Sequence, residues 1–192
     1  MKRIATSIIS LLVLGSSLLG QTAHPDFPAV DQSPMDMSYF PTGYPLLKIQ
    51  GKMTETVMAR VIYSRPQKEG RLIFGGLVNY GEVWRLGANE ATEIEFFRTV
   101  KIGNKKISKG RYTLYALVNE NTWTLILNKE IDTWGAFKYD KSKDILRLEV
   151  PVQKTNEPVE SLSMIFENAT AGFKLVIAWD TLKVALPIYF TK

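Results

Sequence analysis

The segment Gly81-Glu82-Val83-Trp84-Arg85-Leu86-Gly87-Ala88-Asn89-Glu90-Ala91-Thr92 packs an indole, a guanidinium, an amide and two carboxylates into one short stretch. Arg85 donates through a fixed planar fork, Glu90 accepts, and Asn89 does both, so these groups suit either an anionic or hydroxyl-rich ligand or an internal brace. Gly87 permits positive φ, and Asn89 tolerates the left-handed region or bonds its own backbone. Upstream, Tyr63-Ser64-Arg65-Pro66-Gln67-Lys68-Glu69-Gly70-Arg71 contributes Arg65 and Arg71. Downstream, Asn128–Asp140 contributes Trp134, whose ring could stack on a sugar face. The candidate ligand-binding or loop-bracing residues are therefore Arg65, Arg71, Trp84, Arg85, Asn89, Glu90 and Trp134. Arg85 and Glu90 are expected to pair as a brace within their loop. Trp84, Trp134 and Trp179 read first as core or loop-anchoring aromatics.

Other chemistries lack their residues. Cysteine is absent, which removes thiol nucleophiles, thiolate metal sites, disulfides and the acylated cysteine of a lipoprotein. The single histidine, His24, precedes the expected domain, so a Ser-His-Asp triad or a two-histidine zinc site has no imidazole to use there. A glycosidase-type pair of acids could be drawn from Glu90 with Asp132 or Glu130, at a separation that sequence spacing leaves undefined. No catalytic residue, metal or cofactor is assigned, and whether the protein is an enzyme stays open, with a binding module preferred.

These groups need a scaffold, and the sequence describes one. Lys2 and Arg3 precede an apolar run from Ile4 to Leu14, and small residues lead to Gln21-Thr22, the pattern of an export signal over 1–20 cleaved after Gly20 or Ala23. The run falls short of the roughly 20 residues of a bilayer span, so a cleaved peptide is expected rather than an anchor. The expected location is the periplasm or the exterior. About 170 residues remain, enough for one well-buried domain. The net charge of +5 falls to about +3 without Lys2 and Arg3, and the lysines are scattered, which reads as a solvated basic face with no nucleic-acid partner. A Pro-rich, extended lead-in is expected over 21–46, crawling over the surface or mobile, and a single domain over 47–192.

Within that domain the period is two. Tyr112, Leu114, Ala116 and Val118 share a face; so do Trp123, Leu125 and Leu127; Leu146, Leu148, Val150 and Val152; and Phe173, Leu175, Ile177 and Trp179. Turn residues punctuate the runs at Gly103-Asn104, Lys109-Gly110, Asn119-Glu120-Asn121 and Ala171-Gly172. Helical turns are expected only at Tyr80–Arg85 and Asp132–Gly135. The fold class is all-β, a two-sheet antiparallel sandwich, with a closed or partly open barrel as the alternative.

The runs Tyr63-Ser64-Arg65-Pro66, Gly70–Val78, Trp84-Arg85-Leu86-Gly87-Ala88-Asn89-Glu90-Ala91-Thr92, Lys109–Leu114 and Trp134-Gly135-Ala136-Phe137-Lys138-Tyr139 carry a resemblance. Over about Met53 to Phe190 the chain resembles domain-of-unknown-function family 2911, found in exported proteins of Gram-negative bacteria. Leu86 stands where that family usually has threonine, so one hydroxyl is missing from the loop. The resemblance implies an exported single-domain protein and carries over no catalytic residue, substrate or cofactor.

Overall fold

The structure is a computed structural model describing residues 27–191, so the expected signal, its cleavage sites and His24 lie outside the described residues. Two antiparallel sheets face one another across a single core, a sandwich without barrel closure. The larger sheet runs β1 (Met35–Phe40), β2 (Ala59–Ser64), β4 (Glu93–Phe96), β7 (Gly110–Val118), β8 (Thr122–Asn128) and β9 (Asp144–Pro151), with the two-residue β3 (Val83–Trp84) also paired to β7. The smaller runs β10 (Gln153–Ala169), β11 (Gly172–Phe190), β5 (Val100–Ile102) and β6 (Lys105–Ile107).

The alternation predicted from the sequence sets the faces. Leu114, Ala116, Val118, Trp123, Leu125, Leu127 and Val150 from one sheet, and Phe173, Leu175, Ile177 and Trp179 from the other, are all buried in the same cluster. A sheet face built on a strict period of two cannot slip by one residue without turning this whole set to water. The Gly103 turn closes β5 on β6, and Ala171-Gly172 closes β10 on β11. At Gly172 an added Cβ would fall 2.0 Å from the Ile188 carbonyl oxygen, so only glycine fits there.

Three local expectations change. The stretch read as a lead-in over 21–46 holds β1, which pairs with β2 from Met35↔Ser64 to Phe40↔Ala59 and buries Phe40 against Phe173, so the sheet begins upstream of residue 47. The end of that stretch enters the short helix α1 (Tyr44–Ile49), started by Pro45 in its first turn. The helical turn expected at Tyr80–Arg85 is instead β3, since Val83 and Trp84 pair with Leu117 and Ala116 and backbone pairing at an open edge outweighs weak local preference. The one expected at Asp132–Gly135 is a bridge from Trp134 to Glu90, after which the chain turns.

Ile126, placed by its alternation on the wetter face, is fully buried. It joins Ala91 and Tyr115 in a second small cluster on the outer side of the larger sheet, roofed by Ala136 and Tyr139. The 129–139 segment thus lies on that sheet as a cover.

Candidate functional site

The site grows from an irregularity at the edge of β7. Both β3 and β4 pair there, Trp84 opposite Ala116 and Glu93 opposite Thr113, so residues 85–92 must bulge out beside Leu114 and Tyr115. The bulge is closed at its base by Thr92 N–H donating to the Arg85 carbonyl at 3.0 Å and by the Thr92 hydroxyl donating to the Leu86 carbonyl at 2.7 Å. Its tip is pinned by Ser64, which is fully buried. The Ser64 hydroxyl donates to the Ala88 carbonyl at 2.5 Å and accepts from the Ala88 N–H at 2.7 Å. Gly87 is required by that approach, because a Cβ on it would stand 2.8 Å from the Ser64 Oγ. Leu86 and Asn89 take φ of 55° and 56°, conformations that L residues adopt only where the surroundings enforce them.

The bulge overhangs a cavity of about 270 Å³ at the open edge of the sandwich. Its floor joins the two sheets: Trp84 from β3 stacks on Trp179 from β11, ring centroids 5.9 Å apart and planes 19° from parallel. The Trp84 indole N–H donates to the Gly87 carbonyl at 3.2 Å and the Trp179 N–H to the Glu160 carbonyl at 3.1 Å, so both rings are fixed in place. Arg85 enters from the bulge, and Arg71 with Glu69 from the turn after β2.

The two cations are held differently. Arg71 donates to the carbonyls of Lys68, at 3.0 Å, and Gln67, and it lies 3.6 Å from the Glu69 carboxylate. Arg85 is half-buried, forms no ion pair among the described residues, and its buried Nε has no hydrogen-bond partner. Burial pushes its pKa down from the ordinary arginine value. An arginine titrates so far above neutrality that this cation persists regardless. The cavity therefore presents one guanidinium whose charge nothing among the described residues answers.

The remaining candidates separate from this site. No Arg85–Glu90 ion pair forms: Glu90 is exposed and lines a different, smaller cavity with Glu93 and Asp132. The bulge is braced by Ser64, Thr92 and the Trp84 indole in place of that pair. Arg65 is a tie between sheets, donating to Asp36 at 3.0 Å, to the Leu162 carbonyl at 3.1 Å and to the Ser163 hydroxyl at 3.0 Å. Asn89 reaches the Asp31 carboxylate at 3.0 Å. Trp134 is exposed and borders a third cavity, beside Tyr139 and Lys138. Of the two acids considered as partners for Glu90, Asp132 lines the same smaller cavity as Glu90 and pairs with Arg111 at 2.8 Å, whereas Glu130 pairs with Lys143. Trp179 and Leu77, which are not among the candidate residues, also line the cavity over Trp84. Trp179 carries a core signal in its strand alternation, and Leu77 sits in an apolar run that gives no sign of reaching the surface.

Among the described residues no group of three or more His, Cys, Asp or Glu side chains is placed to hold a metal ion. Nor is any helix among them long and apolar enough to cross a membrane. The family described as protein of unknown function (DUF2911) matches residues 45–188. The chain belongs to this family. The span that defines this DUF2911 member includes β2, the bulge, the cover segment and most of β11, and thus the whole floor of the cavity. Compared with curated proteins and with solved structures, the chain finds no match in either.

Proposed function

We propose that this DUF2911 member is an exported, non-catalytic binding module of the bacterial envelope that captures an anionic ligand, polyhydroxylated or not, in the cavity over Trp84 and Trp179. The unanswered charge of Arg85 carries the reading. A half-buried guanidinium without a counter-ion costs free energy on folding, and an anion supplied from outside recovers it through charge-assisted hydrogen bonds. Glu69, which lines this cavity, takes a left-handed φ of 49°, on the order of 1–3 kcal/mol of strain. The export part rests on Lys2, Arg3 and the apolar run after them.

Calorimetric titration of the purified protein with glucuronate, inorganic phosphate and glucose tests the ligand class. The expected outcome is binding of the two anions that weakens with added salt and disappears in Arg85→Met. Equal affinity for glucose, or anion binding that survives Arg85→Met, would refute the site. Fractionation with mass analysis of the N-terminus tests export, for which retention of residues 1–20 on a membrane-extracted chain would be the adverse result.

A further inference from the structure

A second cavity of about 260 Å³ opens directly beside the first and shares Leu77, Val78, Trp84 and Arg85 with it. The two differ in character. The first holds the polar side chains of Gln67, Glu69 and Arg71, whereas the second continues along Val83 and Ala136 to Phe137. Besides Arg85 its charged or amide side chains are Asn79 and Glu82, the Asn79 amide donating at 3.1 Å to the Glu82 carboxylate, which is exposed to water. Arg85 stands at the junction.

The apolar walls of the groove are displayed by ordered turns. Phe137 is 85% exposed and Leu77 52% exposed. Leu77 is set by its N–H on the Leu72 carbonyl at 3.0 Å and by Gly75 N–H on the Val78 carbonyl at 2.8 Å. The turn bearing Phe137 is set by Gly135 N–H on the Asn89 carbonyl at 2.9 Å and Tyr139 N–H on the Ala136 carbonyl at 3.1 Å. The Phe137 ring lies over Gly135, where a Cβ would fall 2.5 Å from it. Large apolar side chains held in water by a fixed backbone form a surface awaiting an apolar partner.

Resting on the anion-binding reading above, we propose that the two cavities form one site for an anionic amphiphile, a single alkyl chain with a phosphate or carboxylate head. The head group sits on Arg85, within reach of Arg71, and the chain lies along Leu77, Val83 and Ala136 toward Phe137. Charge complementarity selects this occupant: an unpaired cation terminates an apolar groove, and a neutral apolar ligand would leave that cation buried and still unanswered.

The test is calorimetry of the purified protein with inorganic phosphate and with butyl, octyl and dodecyl phosphate below their aggregation thresholds, alongside octyl glucoside. Affinity is expected to climb with chain length by about two- to fourfold per methylene. Phe137→Ser flattens that climb while inorganic phosphate still binds, and Arg85→Met removes the preference for octyl phosphate over octyl glucoside. Phe137 is exposed and lies outside the first cavity, and unchanged near-ultraviolet circular dichroism confirms the fold of its variant. Affinity independent of chain length, with Arg85-dependent phosphate binding intact, overturns the amphiphile and leaves the anion site standing. A climb that persists undiminished in Arg85→Met overturns the assignment of the head group. Absence of binding by every phosphate and by glucuronate overturns both readings.

Discussion

Arg85 shows how a side chain's surroundings set the meaning of its charge. With its Nε buried and unpartnered, replacement by methionine removes a desolvated cation and keeps its volume, so Arg85→Met is expected to hold or raise the urea midpoint. Glu90→Gln, altering an exposed acid without an ion-pair partner among the described residues, should change stability by less than about 0.5 kcal/mol. Their double-mutant cycle should give an interaction below about 0.5 kcal/mol, and a value above 1 kcal/mol would show that the two charges meet in solution. Tyr139 is the opposite case, a group inside a closed network. Its hydroxyl donates to Asp144 at 2.5 Å and accepts from Arg147 at 2.8 Å, while Asp144 also takes the Asn128 amide at 2.8 Å. Burial, and then the bond to Asp144, push its pKa from 10.0 up to about 12, against the opposing pull of Arg147. A raised folded-state value means that Tyr139 contributes fully below about pH 10 and that this share is lost as the pH rises through about 12. Phenolate absorbance followed against pH should show Tyr139 titrating late, along with Tyr63 and Tyr112, which burial also raises, and Asp144→Asn should bring the Tyr139 share alone back toward 10.0.

At the scale of the element, the bulge between β3 and β4 is held by hydrogen bonds rather than by burial of its own side chains. Ser64→Ala removes the hydroxyl that serves both the N–H and the carbonyl of Ala88, and is expected to cost about 1–3 kcal/mol. Urea unfolding measures that cost, and a loss below about 0.5 kcal/mol would show that the bulge is held by other contacts. The same variant frees the Gly87–Asn89 tip, so anion affinity should fall with stability, whereas Arg85→Met separates the two. The sequence announced this element through Asn89, which takes the left-handed φ expected of it, whereas the second left-handed residue is Leu86, and Gly87 is needed for the close approach of Ser64 rather than for a positive φ. It gave no sign of Ser64 as the anchor, since that contact spans 24 positions and has no local pattern.

For the whole molecule, the aromatic cluster of Phe74, Trp84, Trp123 and Trp179 couples the sheets to the cavity. Trp123 and Trp84 lie 6.0 Å apart, Trp84 and Trp179 5.9 Å, and Phe74 touches all three. Trp179→Ala is expected to cost about 3–5 kcal/mol and to abolish ligand binding together, because the ring is both core and floor. A urea midpoint equal to the parent's would place Trp179 outside the core. Strand faces, hairpin turns and the absence of thiol chemistry were legible in the chain, because alternation and turn residues act over a few positions and composition needs no geometry at all. Which charge finds a partner was decided only by the tertiary structure. Arg65 is taken up by Asp36, Leu162 and Ser163 from both sheets, Asp132 by Arg111, and Arg85 by none of the described residues, an outcome fixed by distances between strands far apart in sequence. The cavity is likewise a product of packing. Trp84 and Trp179 meet because β3 pairs at one edge of β7 and the long β11 crosses opposite it, and neither strand carries in its own period any trace of the other.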